Sequence, residues 1–127
     1  MKRLDRETHL ISISRVFKRA DVDVSEIRFR GAVRAKTVES FRTFLDQAGA
    51  RSRYLVVDLS ELEYIGSGGI GALLAQAAAQ ERNQGWLRLI APSTSVTMIL
   101  SLAGVLEKLP ALDSVDNALK DLPARAA

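Results

Sequence analysis

A short apolar run in the middle of the chain constrains the fold more than any other feature. Residues 54–59 read Y-L-V-V-D-L, and only Asp58 interrupts the apolar character. A continuous run of this kind is typical of a central strand that other elements cover on both faces of a sheet. The segments before and after it therefore have to supply the neighbouring strands and the layers that cover them.

Two alternating segments precede the central run and predict a hairpin. Residues 10–17, L-I-S-I-S-R-V-F, place Ile11 and Ile13 as the apolar members of a half-buried strand whose alternate positions are serines. Residues 24–30, V-S-E-I-R-F-R, repeat the pattern, and Gly31 is expected to end that second strand. The polar link K-R-A-D-V-D between the two segments favours an antiparallel hairpin.

Helical spacing of apolar residues, bounded by capping residues and by glycine or proline, predicts four helices. They are expected at residues 38–48 after a Thr37 cap, at about residues 69–83, from Pro92 and Ser93 to Gly104, and from Asp113 or Ser114 to Pro123. Further strands are predicted over W-L-R-L-I at residues 86–90 and near Leu109–Leu112.

This order of elements predicts an α/β domain. Strands that alternate with helices are joined by right-handed parallel crossovers, and the leading hairpin adds an antiparallel edge. The expected fold is a single domain over residues 1–127, with its core at about residues 10–122. Its small mixed sheet has four to five strands flanked by about four helices. A chain of 127 residues is long enough to bury such a core without disulfides.

Composition limits which cellular compartment and which class of binding partner are expected. The chain has no cysteine, no apolar run near the length of about 18 residues that crosses a membrane, and a charged N-terminus unlike a signal peptide. A cytoplasmic protein without membrane insertion is expected. Residues 1–53 carry 13 Lys and Arg against 7 Asp and Glu, whereas residues 54–127 carry 5 against 8. The basic residues are scattered and match no nucleic-acid motif, so nucleic acid is not an expected partner.

A glycine-rich segment follows the central run. Residues 64–74, Y-I-G-S-G-G-I-G-A-L-L, contain the G-x-G-x-x-G spacing of dinucleotide-binding turns. That function requires the glycines directly after a strand and an acidic residue about 20 positions later. Here S-E-L-E-Y-I is expected to separate the strand from Gly66, and the next strand runs into Ala91 and Pro92 without a carboxylate. A nucleotide cofactor is therefore not expected.

Other catalytic sites also lack a required residue. Residues 60–80 contain no lysine for a Walker A loop, and Ile65 stands where a nucleophile elbow requires glycine. His9, the one histidine, is interpreted as a surface residue at the edge of a strand, so zinc clusters and a serine-hydrolase triad are disfavoured. No catalytic residue, metal or cofactor is predicted, and the protein is expected not to be an enzyme.

Ser67 stands at the expected start of a helix, with glycine on both sides. It can be an ordinary N-cap, whose hydroxyl accepts a hydrogen bond from a free helix amide and contributes about 1 kcal/mol. A cap does not need flanking glycines, which are unfavourable next to a helix. The alternative interpretation is that Gly66, Gly68 and Gly69 keep the hydroxyl accessible to another protein.

Three stretches of the chain resemble the STAS domain family, which includes the bacterial anti-sigma factor antagonists. They are Y-L-V-V-D-L-S at residues 54–60, E-L-E-Y-I-G-S-G-G-I-G-A-L-L at 61–74, and A-P-S-T-S-V-T-M-I-L-S-L-A-G-V at 91–105, which leads to L-P-A-L-D-S-V-D-N-A-L at 109–119. The resemblance implies a mixed sheet flanked by helices, and a regulatory protein that acts by partner switching.

Partner switching implies specific partners and a specific surface. The unphosphorylated antagonist binds an anti-sigma factor, often a serine protein kinase, and phosphorylation of one serine breaks the complex; a phosphatase is a further implied partner. The family motif places the phosphoacceptor on Ser67. The expected partner-binding surface combines the residues around this serine with the basic loop before the first helix. Its predicted members are Gly66, Ser67, Gly68, Gly69, Arg34, Lys36 and Tyr64.

Two positions differ from the family pattern. Gly66 stands where an aspartate usually precedes the phosphoacceptor, and Arg34 stands where a carboxylate is expected. The resemblance therefore leaves two interpretations open. One is an antagonist whose partner is more acidic, and the other is a STAS subunit of a transporter or larger signalling assembly that is not phosphorylated.

Overall fold

The computed structural model describes residues 1–5 and 10–122, so His9 and Pro123 lie outside the described residues. The strands are β1 (Lys2–Asp5), β2 (Leu10–Arg19), β3 (Val22–Val33), β4 (Tyr54–Ile65), β5 (Trp86–Ile90) and β6 (Ala111–Leu112). The helices are α1 (Val38–Gly49), α2 (Ser67–Arg82), α3 (Thr94–Leu102) and α4 (Val115–Ala118), and a 3-10 turn (Val105–Glu107) follows α3. The elements follow the predicted order, with β1 added at the N-terminal end.

The six strands form one sheet, in which the spatial order follows the sequence order from β1 to β6. The pairs β1–β2 and β2–β3 are antiparallel, whereas β3 to β6 pair in parallel. The predicted α/β fold with a mixed sheet and a hairpin is confirmed. The sheet has six strands and not four to five, because β1 joins its edge by pairing Lys2 with Ile13, although the sequence K-R-L-D shows no apolar alternation.

The strand β3 is longer than predicted, since Gly31 does not end it. Gly31 has a φ of 114°, and the register with β4 shifts between Gly31 and Ala32. A residue without a side chain tolerates this backbone conformation, which bends the strand without ending it. β3 therefore continues to Val33, beside the end of β4.

The strand β4 also extends beyond the prediction, to Ile65. Its first half pairs with both β3 and β5, and it buries Leu55 and Val57 on one face and Tyr54 and Val56 on the other. The prediction that the central run is covered on both faces is thus confirmed. Its second half pairs with β3 alone, so no strand lies along its other edge and polar residues are tolerated there. This is why S-E-L-E-Y resembles a loop in the sequence.

Two clusters of buried side chains cover the two faces of the sheet. The larger lies under α1, α2 and α3 and contains Phe29 and Phe41, whose ring centroids are 4.6 Å apart. The smaller lies under α4 and contains Val24, Ile90 and Leu119. Because α4 has only four residues, it covers one end of its face and leaves the rest of that face open.

The pairing with β3 decides which side of β2 is buried. Ser12 and Ser14 are buried, whereas Ile13 is 40% exposed, so the expectation that the isoleucines are the buried members is wrong. β2 pairs Ser12 with Phe29 and Ser14 with Ile27, and these two β3 residues belong to the larger cluster. Residues paired across a ladder share a face. The serines are therefore carried under the helices, and the isoleucines lie on the open face.

The starts of α3 and α4 agree with the sequence. Ser93 caps α3, and its hydroxyl accepts from the Val96 N–H. Of the two candidates for α4, Ser114 and not Asp113 is the cap, and its hydroxyl accepts from the Asn117 N–H. Within the described residues, no helix combines the length and the apolar character that crossing a membrane requires.

Candidate functional site

The start of α2 lies beside the ends of two parallel strands. β4 ends at Ile65 and α2 begins at Ser67, so Gly66 alone separates them. The Gly66 N–H donates to the Val33 carbonyl at 2.9 Å, which ties this junction to the end of β3. The expectation that S-E-L-E-Y-I separates the strand from Gly66 is therefore wrong, because those residues belong to the strand.

Ser67 is the first residue of α2 and not its cap. Gly66 occupies the N-cap position with an extended backbone (φ −87°, ψ −179°), and its carbonyl accepts from the Ile70 N–H at 3.0 Å. The Ser67 side chain is exposed, and its hydroxyl makes no hydrogen bond within residues 1–5 and 10–122. The interpretation of Ser67 as an ordinary N-cap is therefore wrong, and the hydroxyl is open to another molecule.

The glycines around this serine differ in what requires them. A Cβ added to Gly69 would lie 2.6 Å from Ile65 Cγ1 and 2.7 Å from Val33 Cγ1, so α2 packs on the strand ends only with glycine there. A Cβ on Gly66 would meet nothing closer than 3.6 Å, and one on Gly71 would meet nothing within 4 Å. Close packing explains Gly69, whereas the space around Gly66 and Gly71 would admit a side chain.

The loop between β3 and α1 lies across from the start of α2 and is held by Thr37. The Thr37 hydroxyl donates to the Ala32 carbonyl and accepts from the Arg34 N–H, both at 2.8 Å. Thr37 occupies the N-cap position of α1, as predicted, but its hydroxyl does not accept a hydrogen bond from a helix amide. These bonds to the preceding loop fix the backbone of Arg34 at the end of β3.

A groove of about 390 Å³ lies between this loop and the start of α2. Six of the seven residues predicted to contact a partner line it, and the seventh, Lys36, is exposed on the same loop outside the lining. The lining consists of Val33, Arg34, Ala35, Val38, Tyr64, Gly66, Ser67, Gly68 and Gly69. Val33, Ala35 and Val38 were not predicted, although they flank the basic residues that indicated this loop.

Arg34 and Tyr64 form the polar rim of the groove. The Arg34 guanidinium lies 4.3 Å from the centroid of the Tyr64 ring, which is a cation–π contact. The parallel register pairs Ala32 with Tyr64 and so brings the two side chains together. Within the described part of the chain, no carboxylate forms an ion pair with Arg34. The groove therefore presents a positive charge in the same space as the Ser67 hydroxyl.

Because β4 ends at Ile65, the glycines follow a strand directly, which is one requirement for a dinucleotide site. The second requirement, an acidic residue at the end of the next strand, is not met. β5 ends at Ile90 and is followed by Ala91 and Pro92, with no carboxylate there to bind a ribose. The strands also follow one another without a reversal of order, so the sheet has no switch-point crevice, where open α/β sheets bind nucleotides. The glycine spacing therefore does not indicate a nucleotide site.

Solved structures of regulatory and transport proteins share this fold. An anti-sigma factor antagonist from Mycobacterium paratuberculosis is 22% identical, with a TM-score of 0.72 over 88% of this chain and 94% of that one. The anti-sigma factor antagonist SpoIIAA of Bacillus, in its unphosphorylated form, is 17% identical, with a TM-score of 0.67 over 91% and 100%. The murine anion transporter Slc26a9 is 20% identical, with a TM-score of 0.66 over 80% of this chain and 18% of the transporter. At these identities the likeness shows the fold alone.

Comparison with protein-family models identifies the family of this chain. No curated protein sequence is detectably similar to the chain. A family model described as "Mlab, STAS domain" matches residues 16–111, which is most of the chain. The matched stretch runs from β2 into β6 and contains all the residues that line the groove. The chain therefore belongs to the STAS domain family.

Proposed function

We propose that this protein is a cytoplasmic anti-sigma factor antagonist that acts by partner switching. When Ser67 is unphosphorylated, the groove binds an anti-sigma factor that is also a serine kinase, and phosphorylation of Ser67 releases it. The observation that carries the proposal is the state of the Ser67 hydroxyl, which is exposed, lines a groove and has no hydrogen-bond partner in the described chain. The protein supplies a binding surface and no catalytic group.

The position of Ser67 is compatible with phosphorylation of the folded protein. A phosphoserine adds a charge of about −1.5 to −2 and three acceptor oxygens. At a helix N-terminus the free amides and the macrodipole favour that charge, and α2 is long, with 16 residues. The modification therefore leaves α2 folded, and it changes the charge and the volume of the groove that the partner has to enter.

Phosphorylation of the purified chain tests this proposal. The chain is incubated with ATP and each candidate serine kinase, and the phosphate is located by mass spectrometry. We expect label on Ser67 and none on Ser93, the matched control, whose hydroxyl already donates to the Leu62 carbonyl at 2.6 Å. Ser67→Asp should then bind the kinase about tenfold more weakly, because it adds a negative charge inside the interface. Absence of label on Ser67, or unchanged binding by Ser67→Asp, would remove the switch.

A second candidate function is that of a STAS subunit in a transporter or larger signalling assembly, without phosphorylation. It is favoured by the fold shared with part of the Slc26a9 anion transporter, and by Gly66 where the family usually has an aspartate. The groove would then be a permanent docking surface. Co-purification with an integral-membrane or ATPase partner, and with no sigma regulator, would select this function over the first.

A further inference from the structure

The groove beside α2 carries charge of a single sign. Arg34 is the only charged residue in its lining, and Lys36 adds a second exposed cation on the same loop. Glu39 on α1 and Glu61 on β4 are each paired with an arginine at 2.9 Å, and Glu63 lies outside the lining. The groove is therefore a cationic surface that the described carboxylates do not neutralise.

Hydrogen bonds hold the backbone of Arg34, and its side chain contacts Tyr64. Its N–H donates to the Thr37 hydroxyl, and its carbonyl accepts from the N–H groups of Thr37 and Val38 at 3.0 and 2.9 Å. Its guanidinium lies over the Tyr64 ring, 4.3 Å from the centroid, and a contact with a ring face does not use the N–H donors. A guanidinium in this position can donate two parallel hydrogen bonds to a carboxylate, and its contact with Tyr64 reduces the conformational entropy that is lost on binding.

Several other arginines of the molecule form ion pairs within the chain. Arg15, Arg30 and Arg88 each donate to a carboxylate of this chain. The same chemistry is available at Arg34, but there the carboxylate has to come from another molecule. Two valines and a tyrosine ring also line the groove, so it offers apolar contact to the stem of an acidic side chain as well as a charge to its end.

We propose that the groove binds an acidic segment of the protein partner, with a carboxylate of that segment held by Arg34 next to Ser67. This inference rests on the proposed role of the Ser67 surface in partner binding, and it specifies the chemistry of the partner. Charge complementarity selects this occupant, because a basic segment would bring like charges against Arg34 and Lys36, which is strongly unfavourable in an interface.

The same contact supplies a mechanism for release. A phosphate on Ser67 occupies the groove that Arg34 also lines, and it carries more negative charge than a carboxylate. The guanidinium then binds an anion of its own chain, and the carboxylate of the partner meets repulsion where it had met a cation. Phosphorylation thus acts by competition for Arg34.

A peptide titration followed by NMR tests this inference. The 15N-labelled protein is titrated with a capped hexaglutamate peptide, and separately with hexalysine, at about 0.15 M salt, where weak surface attraction is screened. We expect hexaglutamate to shift the amide signals of Arg34, Tyr64 and residues 66–69, and hexalysine to leave them unchanged. Arg34→Glu should weaken hexaglutamate binding by about tenfold. Arg51→Glu is the control, because Arg51 precedes the first residue of β4, at the end of the strand away from the groove. It makes the same charge change and should alter the affinity by less than about twofold.

Three outcomes would overturn the inference. They are shifts that fall equally on the groove and on Arg51, an Arg34→Glu variant that is folded by its spectrum yet binds like wild type, and a Ser67→Glu variant with unchanged affinity. For Ser67→Glu we expect binding weaker by about threefold or more, because its carboxylate lies in the same groove. The titration uses no kinase, so an unlabelled Ser67 in the phosphorylation assay would remove the switch and leave this result intact. If hexaglutamate does not bind the groove, the inference of an acidic partner is wrong, and the proposed phosphorylation switch is unaffected.

Discussion

The helices α2 and α3 start after neighbouring parallel strands, and the serines at their starts differ in their hydrogen bonds. At the start of α3, the Ser93 hydroxyl accepts from the Val96 N–H at 3.3 Å and donates to the Leu62 carbonyl at 2.6 Å. The Ser95 hydroxyl donates to the Glu63 carbonyl at 3.1 Å. The Ser93 hydroxyl therefore caps the helix, and both hydroxyls bond carbonyls of β4 that β5 does not reach.

The start of α2 has no such side-chain bonds among the described residues. Gly66 supplies no side chain at the N-cap, and Ser67, one residue later, is exposed. β3 and β4 end together here, with Gly66 bound to Val33, so no neighbouring strand edge needs the serine hydroxyl. The serine hydroxyls at the start of α3 are bonded within the chain, whereas the Ser67 hydroxyl at the start of α2 is exposed and has no bond among the described residues.

The largest expected effect breaks the packing of α2 on the strand ends. Gly69→Ala places a Cβ 2.6 Å from Ile65 and 2.7 Å from Val33, and we expect it to lower the free energy of unfolding by about 2 kcal/mol. Gly71→Ala is the matched control, because nothing lies within 4 Å and alanine favours helix, so a gain of about 0.5–1 kcal/mol is expected. Urea unfolding measures both, and equal effects would contradict the described packing.

The next effect compares the serines of the two helix starts. Ser93→Ala removes a cap and a bond to the Leu62 carbonyl, so we expect it to lower the free energy of unfolding by about 1–2 kcal/mol. Ser67→Ala removes no internal bond, and its effect should stay within about 0.5 kcal/mol. Chemical denaturation of the two variants under identical conditions makes the comparison. A similar loss in both would mean that the Ser67 hydroxyl also stabilises the fold.

A smaller effect is expected when α2 receives the cap that α3 already has. Gly66 has an extended backbone that any residue adopts, and an added Cβ would make ordinary contacts at 3.6 Å with Tyr64 and Val33. Gly66→Asp should therefore raise the free energy of unfolding by about 0.5–1 kcal/mol, since its carboxylate caps the helix and the unfolded chain loses freedom. Thermal and urea unfolding measure the gain. A loss of stability would show that the junction does not accept a cap.

The smallest effect concerns α4, which is held near its end by an exposed ion pair and serves as a reference remote from both serines. Arg88 donates to the two carboxylate oxygens of Asp121 at 2.8 and 2.9 Å, and this hydrogen bonding lowers the pKa of the Asp121 carboxyl. A lowered pKa stabilises the fold above the unfolded value of about 3.9, and the contribution is lost as the pH falls through the folded value. Because the carboxylate is 58% exposed, we expect less than about 1 kcal/mol.

The measurement is the urea midpoint at neutral pH and below the unfolded pKa of aspartate, for wild type and for Asp121→Asn. The variant should lose less stability on acidification, because it has no carboxylate to protonate. Glu61, whose pKa is also lowered, chiefly by its hydrogen bond from Arg30, is present in both proteins and cancels in the comparison. Equal losses would show that the Arg88 contact does not stabilise α4.

Local patterns predicted most of the fold, and the errors lie where a paired strand decides the outcome. The helix over residues 38–48 and the strand over 86–90 follow from spacing within a single element, and the structure has both within one residue. Ser12 and Ser14 are buried only because β3 holds them next to Ile27 and Phe29. Likewise, the polar second half of β4 is strand only because β3 continues beside it.

The candidate site divides in the same way. The sequence by itself determined that Ser67 starts a helix between glycines, because both properties depend on adjacent residues. Whether Ser67 is the cap depends on where β4 ends, and only the tertiary structure decided that. It also decided that Arg34 lies over Tyr64, because the register of β3 against β4 brings together residues far apart in the chain. Register is a long-range property that local periodicity does not contain, and here it sets the charge of the groove.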